Sequence, residues 1–234
     1  MAPIDFAQFD ALTFDCYGTL IDWETGILAG LRRVLEPHGV QVEDDDLLER
    51  FARHEAAIEA GPYRPYREVL TEAARAIAGE LGAEPTEDEL AAFGASVGQW
   101  PAFADTPAAL QRLHQRFRLG VITNCDDDLF EASIPRLGVT FGWIVTAQQV
   151  GSYKPNPRNF EVAFERIGLP RQRILHVAQS LFHDHVPAKA LGLTTVWVDR
   201  RHDREGAGAT PPADATPDLT VPDMATLAEL ATRA

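Results

Sequence analysis

The stretch ALTFDCYGTL, residues 11–20, runs apolar as far as Phe14 and turns polar at Asp15. Such a run ending in an acid reads as a buried strand that delivers a carboxylate to its end. An isolated aspartate in that position caps a helix or sits in a turn. What Asp15 does therefore depends on what the rest of the chain brings to the same place.

Comparable runs rich in β-branched residues recur at RLGVIT (118–123), WIVTA (143–147), ILHVA (174–178) and TTVWV (194–198), with helix-periodic segments such as PAALQRLHQRF (107–117) and NFEVAFERIG (159–168) between them. This alternation predicts parallel strands joined by crossover helices, an α/β fold. From about residue 22 to residue 98 the rhythm breaks, and only helical pattern rich in Ala, Glu, Leu and Arg is present. The expected organisation is a core of residues 1–21 and 99–234 with an all-helical insertion over 22–98, punctuated at its end by Gly98 and Pro101. The polar, Gly- and Pro-rich segment 201–218 reads as an exposed loop.

A chain of 234 residues with 45% hydrophobic content can bury a sizeable core. Its formal charge of −14, from 21 Lys and Arg against 35 Asp and Glu, argues against nucleic acid or an anionic membrane surface as partner. Cys16 and Cys125 are the only cysteines, with no metal-type spacing, so a reducing compartment without disulfides is expected. The opening MAPIDFAQFD lacks the pattern of a secretion signal, and no window approaches a membrane span, which predicts a soluble cytoplasmic protein.

Ligands on parallel sheets bind beyond the carboxyl ends of the strands. Polar residues stand there in four places: Asp15, Thr123 and Asn124 in VITNCDD, Lys154 in SYKPNPRNF, and Asp184 in HVAQSLFHD. Singly, each has an ordinary structural explanation as a cap or a solvated loop residue. Four coincident signals make that joint explanation weak.

At these residues the sequence resembles the haloacid dehalogenase superfamily, with FDCYGTL, VITN, YKP and HVAQSLFHD standing at its four motifs. The resemblance implies a Rossmann-like core, a mainly parallel sheet flanked by helices, and a helical cap over 22–98. It makes Asp15 the nucleophile. The superfamily's phosphatases resemble DxD at the first motif and hold Mg²⁺ with acids of the fourth; here Tyr17 and Gln179 stand at those positions. A phenol with an ordinary pKa near 10 is a poor proton donor at neutral pH, and two lost acids leave a thin oxygen cage for Mg²⁺.

The pattern Asp-x-Tyr-Gly-Thr is instead similar to the L-2-haloacid dehalogenases, which need neither metal nor organic cofactor. That likeness implies a small anionic substrate, a 2-haloalkanoic acid, attacked at C2 by Asp15 to give an ester that water opens, with inversion at C2. It assigns Thr19 to orient Asp15, and Thr123 and Asn124 to bind the substrate carboxylate or steady the site. Lys154 would place positive charge beside the nucleophile, and Asp184 is retained. A halide-contacting arginine is expected from the insertion. Arg50 is preferred for its interval to Glu55, with Arg53, Arg64 and Arg67 as alternatives. Tyr17, Gln179 and His183 are further substrate-binding candidates, and Tyr63, Tyr66 or Trp100 could wall an apolar pocket. Gln179, Leu181 and Phe160 depart from the dehalogenase pattern, and His183, beside His176 and His185, could activate water. Members of this kind are commonly dimers, so a homodimer is an expectation. Three other readings stand beside the dehalogenase: a Mg²⁺-dependent phosphatase, the same displacement on another leaving group such as a strained ring, and a non-catalytic binding module.

Overall fold

A computed structural model describes residues 4–204, 206 and 208–233. Six parallel strands form its sheet: β1 (Ala11–Phe14), β2 (Arg118–Thr123), β3 (Trp143–Thr146), β4 (Ile174–Ala178), β5 (Thr194–Val198) and β6 (Leu219–Val221). Their order is β3-β2-β1-β4-β5-β6, the Rossmann-like arrangement. The chain builds outward from β1 on one side, then returns to build outward from β4 on the other. The order reverses between β1 and β4, and a crevice is expected beyond their carboxyl ends.

β1 and β4 are buried at every residue because the sheet is covered on both faces. Register places Leu12 beside Leu119 and Leu175, and Phe14 beside Val121 and Val177, so one apolar layer crosses three strands. Ile122, Val145 and Ile174 pack with Phe160 and Ile167 in a second apolar cluster. The sixth strand and the helix after it were not foreseen from sequence: Leu219–Val221 is too short to carry a pattern of its own.

Between β1 and β2 lie α1 (Trp23–Leu35), α2 (Asp44–Glu59), α3 (Tyr66–Glu80), α4 (Glu87–Gly94) and α5 (Thr106–His114), with no strand among the described residues. Asp22 caps α1, accepting from Thr25 N–H at 3.2 Å, and Thr86 with Glu89 forms a capping box on α4. Gly26 is required by close approach, since a Cβ there would lie 2.2 Å from Trp100 Cγ. Trp100 is held in that packing, its Nε1 donating to Ser96 Oγ at 3.1 Å, and does not wall the cavity over Asp15. The entering and leaving chains touch where Asp22 N–H donates to Pro101 O at 2.8 Å.

The core continues through α6 (Asp127–Leu137), α7 (Ala147–Val150), α8 (Arg158–Ile167), α9 (Val186–Ala190) and α10 (Met224–Ala231). Segment 201–218 departs from the expected exposed loop: it forms no helix or strand where described, yet Ala209 and Thr210 are buried, the latter reaching the cavity over Asp15. Glu205 and Ala207 of that segment lie outside the described residues. Cys16 and Cys125 are both free and buried. No helix among the described residues is long and apolar enough to cross a membrane.

Candidate active site

Four backbone segments meet beyond β1 and β4. Asp15 is the first residue past β1, its N–H donating to Val177 O at 3.1 Å, so the sheet itself fixes its Cα. Its carboxylate is fixed at both oxygens. Thr19 Oγ1 donates to Oδ2 at 2.7 Å, and Lys154 Nζ donates to Oδ1 at 2.8 Å. Thr19 in turn accepts from the Gln179 N–H at 2.9 Å, tying the first and fourth segments together.

Lys154 is 1% exposed, and its ammonium reaches Asp184 Oδ1 at 2.7 Å and Ile122 O at 2.9 Å besides Asp15. Its backbone is bracketed by Asn124, whose Oδ1 accepts from Lys154 N–H at 2.7 Å while Nδ2 donates to Lys154 O at 3.0 Å. Asn124 thus places the lysine. Asp184 arrives by a π-helical turn over Leu181–His185, in which His185 N–H donates to Ser180 O at 3.3 Å. His176 Nε2 lies 3.0 Å from Asp184 Oδ1, and His176 Nδ1 lies 2.9 Å from Thr13 Oγ1.

Burial pushes the Asp15 carboxyl above the ordinary carboxylate range, opposed by the charge of Lys154. Burial would depress Lys154, but the charges of Asp15 and Asp184 outweigh it and hold the ammonium protonated. Asp184 is driven up by burial, yet Lys154 and His176 hold it well below the usual range. His183 is brought down to about 4, chiefly by burial, and is neutral at pH 7. Its Nδ1 lies 3.2 Å from Ser180 Oγ.

A cavity of about 30 Å³ lies over Asp15. The core supplies Asp15, Tyr17, Thr123, Asn124, Lys154, Ser180, His183, Asp184 and Thr210 to its wall, and the helical insertion supplies Trp23, Glu55, Glu59 and Tyr66. Tyr17 contributes its ring while its hydroxyl bonds Ser133 Oγ at 3.0 Å, and burial pushes that phenol well up. Thr123 Oγ1 has no partner among the described residues. A larger cleft of about 420 Å³ adjoins this cavity, sharing Glu59, Lys154 and His183 with it.

Asp15, Tyr17, Thr19, Thr123, Asn124, Lys154, His183 and Asp184 thus lie together beyond the carboxyl ends of the strands. Gln179 contributes its backbone N–H to Thr19 and does not line the cavity; its amide oxygen accepts from Thr210 Oγ1 at 3.2 Å. Arg50 is a correction. Its guanidinium binds Asp46 at 3.0 Å and Glu80 at 2.9 Å on the outer side of α2, and no arginine lines the cavity among the described residues. The reason is helical geometry. Leu48, Phe51, Ala52 and Glu55 are buried along one stripe of α2 that Glu59 continues, and Arg50 lies roughly opposite Glu59 on the helix. Arg53 pairs with Glu80 as well, and Arg67 with Asp128.

Glu55 and Glu59 are the residues missed from sequence, and that stripe was the signal for them. Tyr66 Oη donates to Glu55 Oε1 at 2.6 Å. Burial pushes Glu55 up to about 8 and, with the charge of Glu55 added, Glu59 well above the carboxylate range. As for Mg²⁺, no group of three or more His, Cys, Asp or Glu is placed to hold a metal ion among the described residues. With the Gln179 amide turned toward Thr210, the donor set does not fit that ion.

Residues 9–192 match the model for haloacid dehalogenase-like hydrolases. Haloacetate dehalogenase H-2 of Moraxella sp. (strain B) is 25% identical over 95% of this chain and 98% of its own. A phosphoserine phosphatase of Thermus thermophilus is 31% identical over 70% of this chain and 64% of its own. Among solved structures, the L-2-haloacid dehalogenase of Xanthobacter autotrophicus with chloropropionic acid covalently bound superposes with a TM-score of 0.78 at 21% identity, covering 95% of this chain and 98% of that one. That likeness carries the fold.

Proposed function

Because this chain belongs to the haloacid dehalogenase-like hydrolase family, we propose that it hydrolyses a bond at a saturated carbon, C2 of a short carboxylic acid, through an ester on Asp15. A carboxylate oxygen of Asp15 attacks the carbon, and the leaving group departs with the bonding electron pair. Water then attacks the ester's carbonyl carbon, which restores the Asp15 carboxylate and releases the 2-hydroxy acid and a proton. In the dehalogenase form of the reaction the leaving group is halide and C2 is inverted.

One observation carries this reading: the Asp15 carboxylate is clamped by Thr19 at 2.7 Å and Lys154 at 2.8 Å against a cavity of about 30 Å³. A nucleophile held so loses little freedom on attack, and the charge of Lys154 opposes the upward push of burial on its carboxyl. Asp184 Oδ2, buried and without a partner among the described residues, is the acceptor assigned to the hydrolytic water. Phosphoryl transfer is the weaker reading, since the residue two places after Asp15 is Tyr17, whose hydroxyl bonds Ser133, and the neutral Gln179 stands where a further acid would be needed.

The leaving group is open to a second reading. No arginine stands where a departing halide would be held, so the same displacement on a nitrogen leaving group, as in a strained cyclic amino acid, is favoured by that one absence among the described residues. Single turnover in heavy-oxygen water with enzyme in excess tests the shared mechanism. The label is expected in the peptide containing Asp15 and not in the first product. Label only in the product would mean that Asp15 activates water directly.

A further inference from the structure

The valences left open in the cavity identify what its ligand must bring. An ammonium has three N–H donors, and those of Lys154 are all committed, to Asp15, Asp184 and Ile122 O at 2.7–2.9 Å. Asn124 has likewise committed its amide, to the backbone of Lys154 and to Glu59 Oε2 at 3.3 Å. An added carboxylate or halide would meet no uncommitted cation among the described residues lining the cavity. Thr123 Oγ1 apart, the unpartnered side-chain atoms of the described residues lining the cavity are carboxyl oxygens. Besides Asp184 Oδ2, assigned above to the water, Glu59 Oε1 has no partner among the described residues although its side chain is only 6% exposed.

We propose that the substrate of the Asp15 displacement carries a protonated nitrogen, a small alkyl- or cycloalkylammonium group, seated against Glu59 and the rings of Trp23 and Tyr66. The inference rests on the displacement reading above and names its substrate class. The insertion offers the cavity two carboxyls and two aromatic rings and no cation, a combination suited to an ammonium, which donates hydrogen bonds to the first and is attracted electrostatically by the second. Glu59 also lies on the boundary between the inner cavity and the 420 Å³ cleft, so a ligand moving inward passes its carboxylate. Burial favours the protonated form of both glutamic acids. An arriving ammonium compensates the buried negative charge, and Glu59 gives up its proton to solvent.

Calorimetry of the full chain at pH 7, with ethylammonium chloride and with sodium propionate at matched ionic strength, tests this. Ethylammonium is expected to bind, with a heat that depends on the ionisation enthalpy of the buffer because a proton is released. Propionate is expected to bind more weakly. Glu59→Gln should weaken ethylammonium roughly thirtyfold or more, the range for removing one member of a buried charge pair. Should that variant fold poorly, the buffer dependence in the unaltered protein carries the same test. Tighter binding of propionate would mean that protonated Glu55 and Glu59 donate to a substrate carboxylate, and would overturn the proposal. So would unchanged ethylammonium affinity in Glu59→Gln, or no ethylammonium binding. The two proposals fail separately. Ammonium binding without label in Asp15 overturns the displacement alone, and label in Asp15 with propionate preferred overturns only the ammonium site.

Discussion

Lys154 Nζ lies 2.8 Å from Asp15 Oδ1, and both groups are buried, the lysine 1% and the aspartate 6% exposed. Removing the ammonium leaves Asp15 and Asp184 as two buried acids without their shared counter-charge, and the cheapest response is for one to take a proton. A protonated Asp15 is no nucleophile. Lys154→Ala is therefore expected to lower the rate of the first chemical step by roughly two orders of magnitude or more. Single-turnover rates at saturating substrate decide it, since a loss confined to binding would reduce Lys154 to an electrostatic lure.

Asp15→Asn removes the nucleophile with almost no change in shape: Lys154 Nζ can still donate to the amide oxygen, and the Thr19 hydroxyl can accept from the amide NH2. Turnover should vanish while the thermal midpoint stays within a few degrees of the parent. Freshly purified protein, checked by mass for deamidation, is the sample to use. Undiminished activity in it would end the nucleophilic role.

Much of this arrangement was legible in the sequence because it depends on local spacing. A strand end fixes Asp15, Thr123 and Asn124 to within a residue, and the parallel sheet then forces those ends together. The insertion was legible as helix but not as a site, since which face of α2 looks inward is set by packing against α1 and α3. Arg50 was favoured by its charge and Glu55 was treated as its partner; burial inverts those roles, with Glu55 2% exposed inside and Arg50 paired with acids outside. Thr210 could not have been found, because its long loop carries no periodic signal and reaches the cavity only in the folded chain.

The buried acid on α2 has a signature in stability. Glu55 is raised from 4.5 to about 8 in the folded state. Between those values the folded chain holds a proton that the unfolded chain has released, so stability is fully present below pH 4.5 and falls as pH rises toward 8. Glu55→Gln removes this slope. The variant and its parent should have similar unfolding free energies near pH 5, and by pH 8 the variant should be the more stable by on the order of a few kcal/mol. Urea unfolding across that range reads the difference. A constant gap at all pH values would show that Glu55 is ionised in the folded protein.

The closure of the helical insertion over Asp15 depends on a residue outside the cavity. Asp126, 1% exposed at the end of the loop after β2, accepts from the Tyr66 N–H at 2.8 Å and the Arg67 N–H at 3.1 Å. These are the first two residues of α3, whose preceding Pro65 offers no side-chain cap. A core carboxylate thus satisfies orphan donors of an insertion helix and sits at its positive dipole end. The same helix start carries Tyr66, which bonds Glu55 at 2.6 Å and walls the cavity. Asp126→Ala should cost about 1–2 kcal/mol of stability, the value of a lost helix cap. It should also raise KM more than it lowers the rate of chemistry, because Asp15, Thr19 and Lys154 remain in place while the wall opposite them loosens. Asp126→Asn, whose side-chain oxygen can still accept from Tyr66, should recover most of the stability and part of the KM. Equal losses in the two variants would mean that the charge of Asp126, rather than its hydrogen bonds, holds the insertion down, and increasing salt should then raise the parent's KM as well.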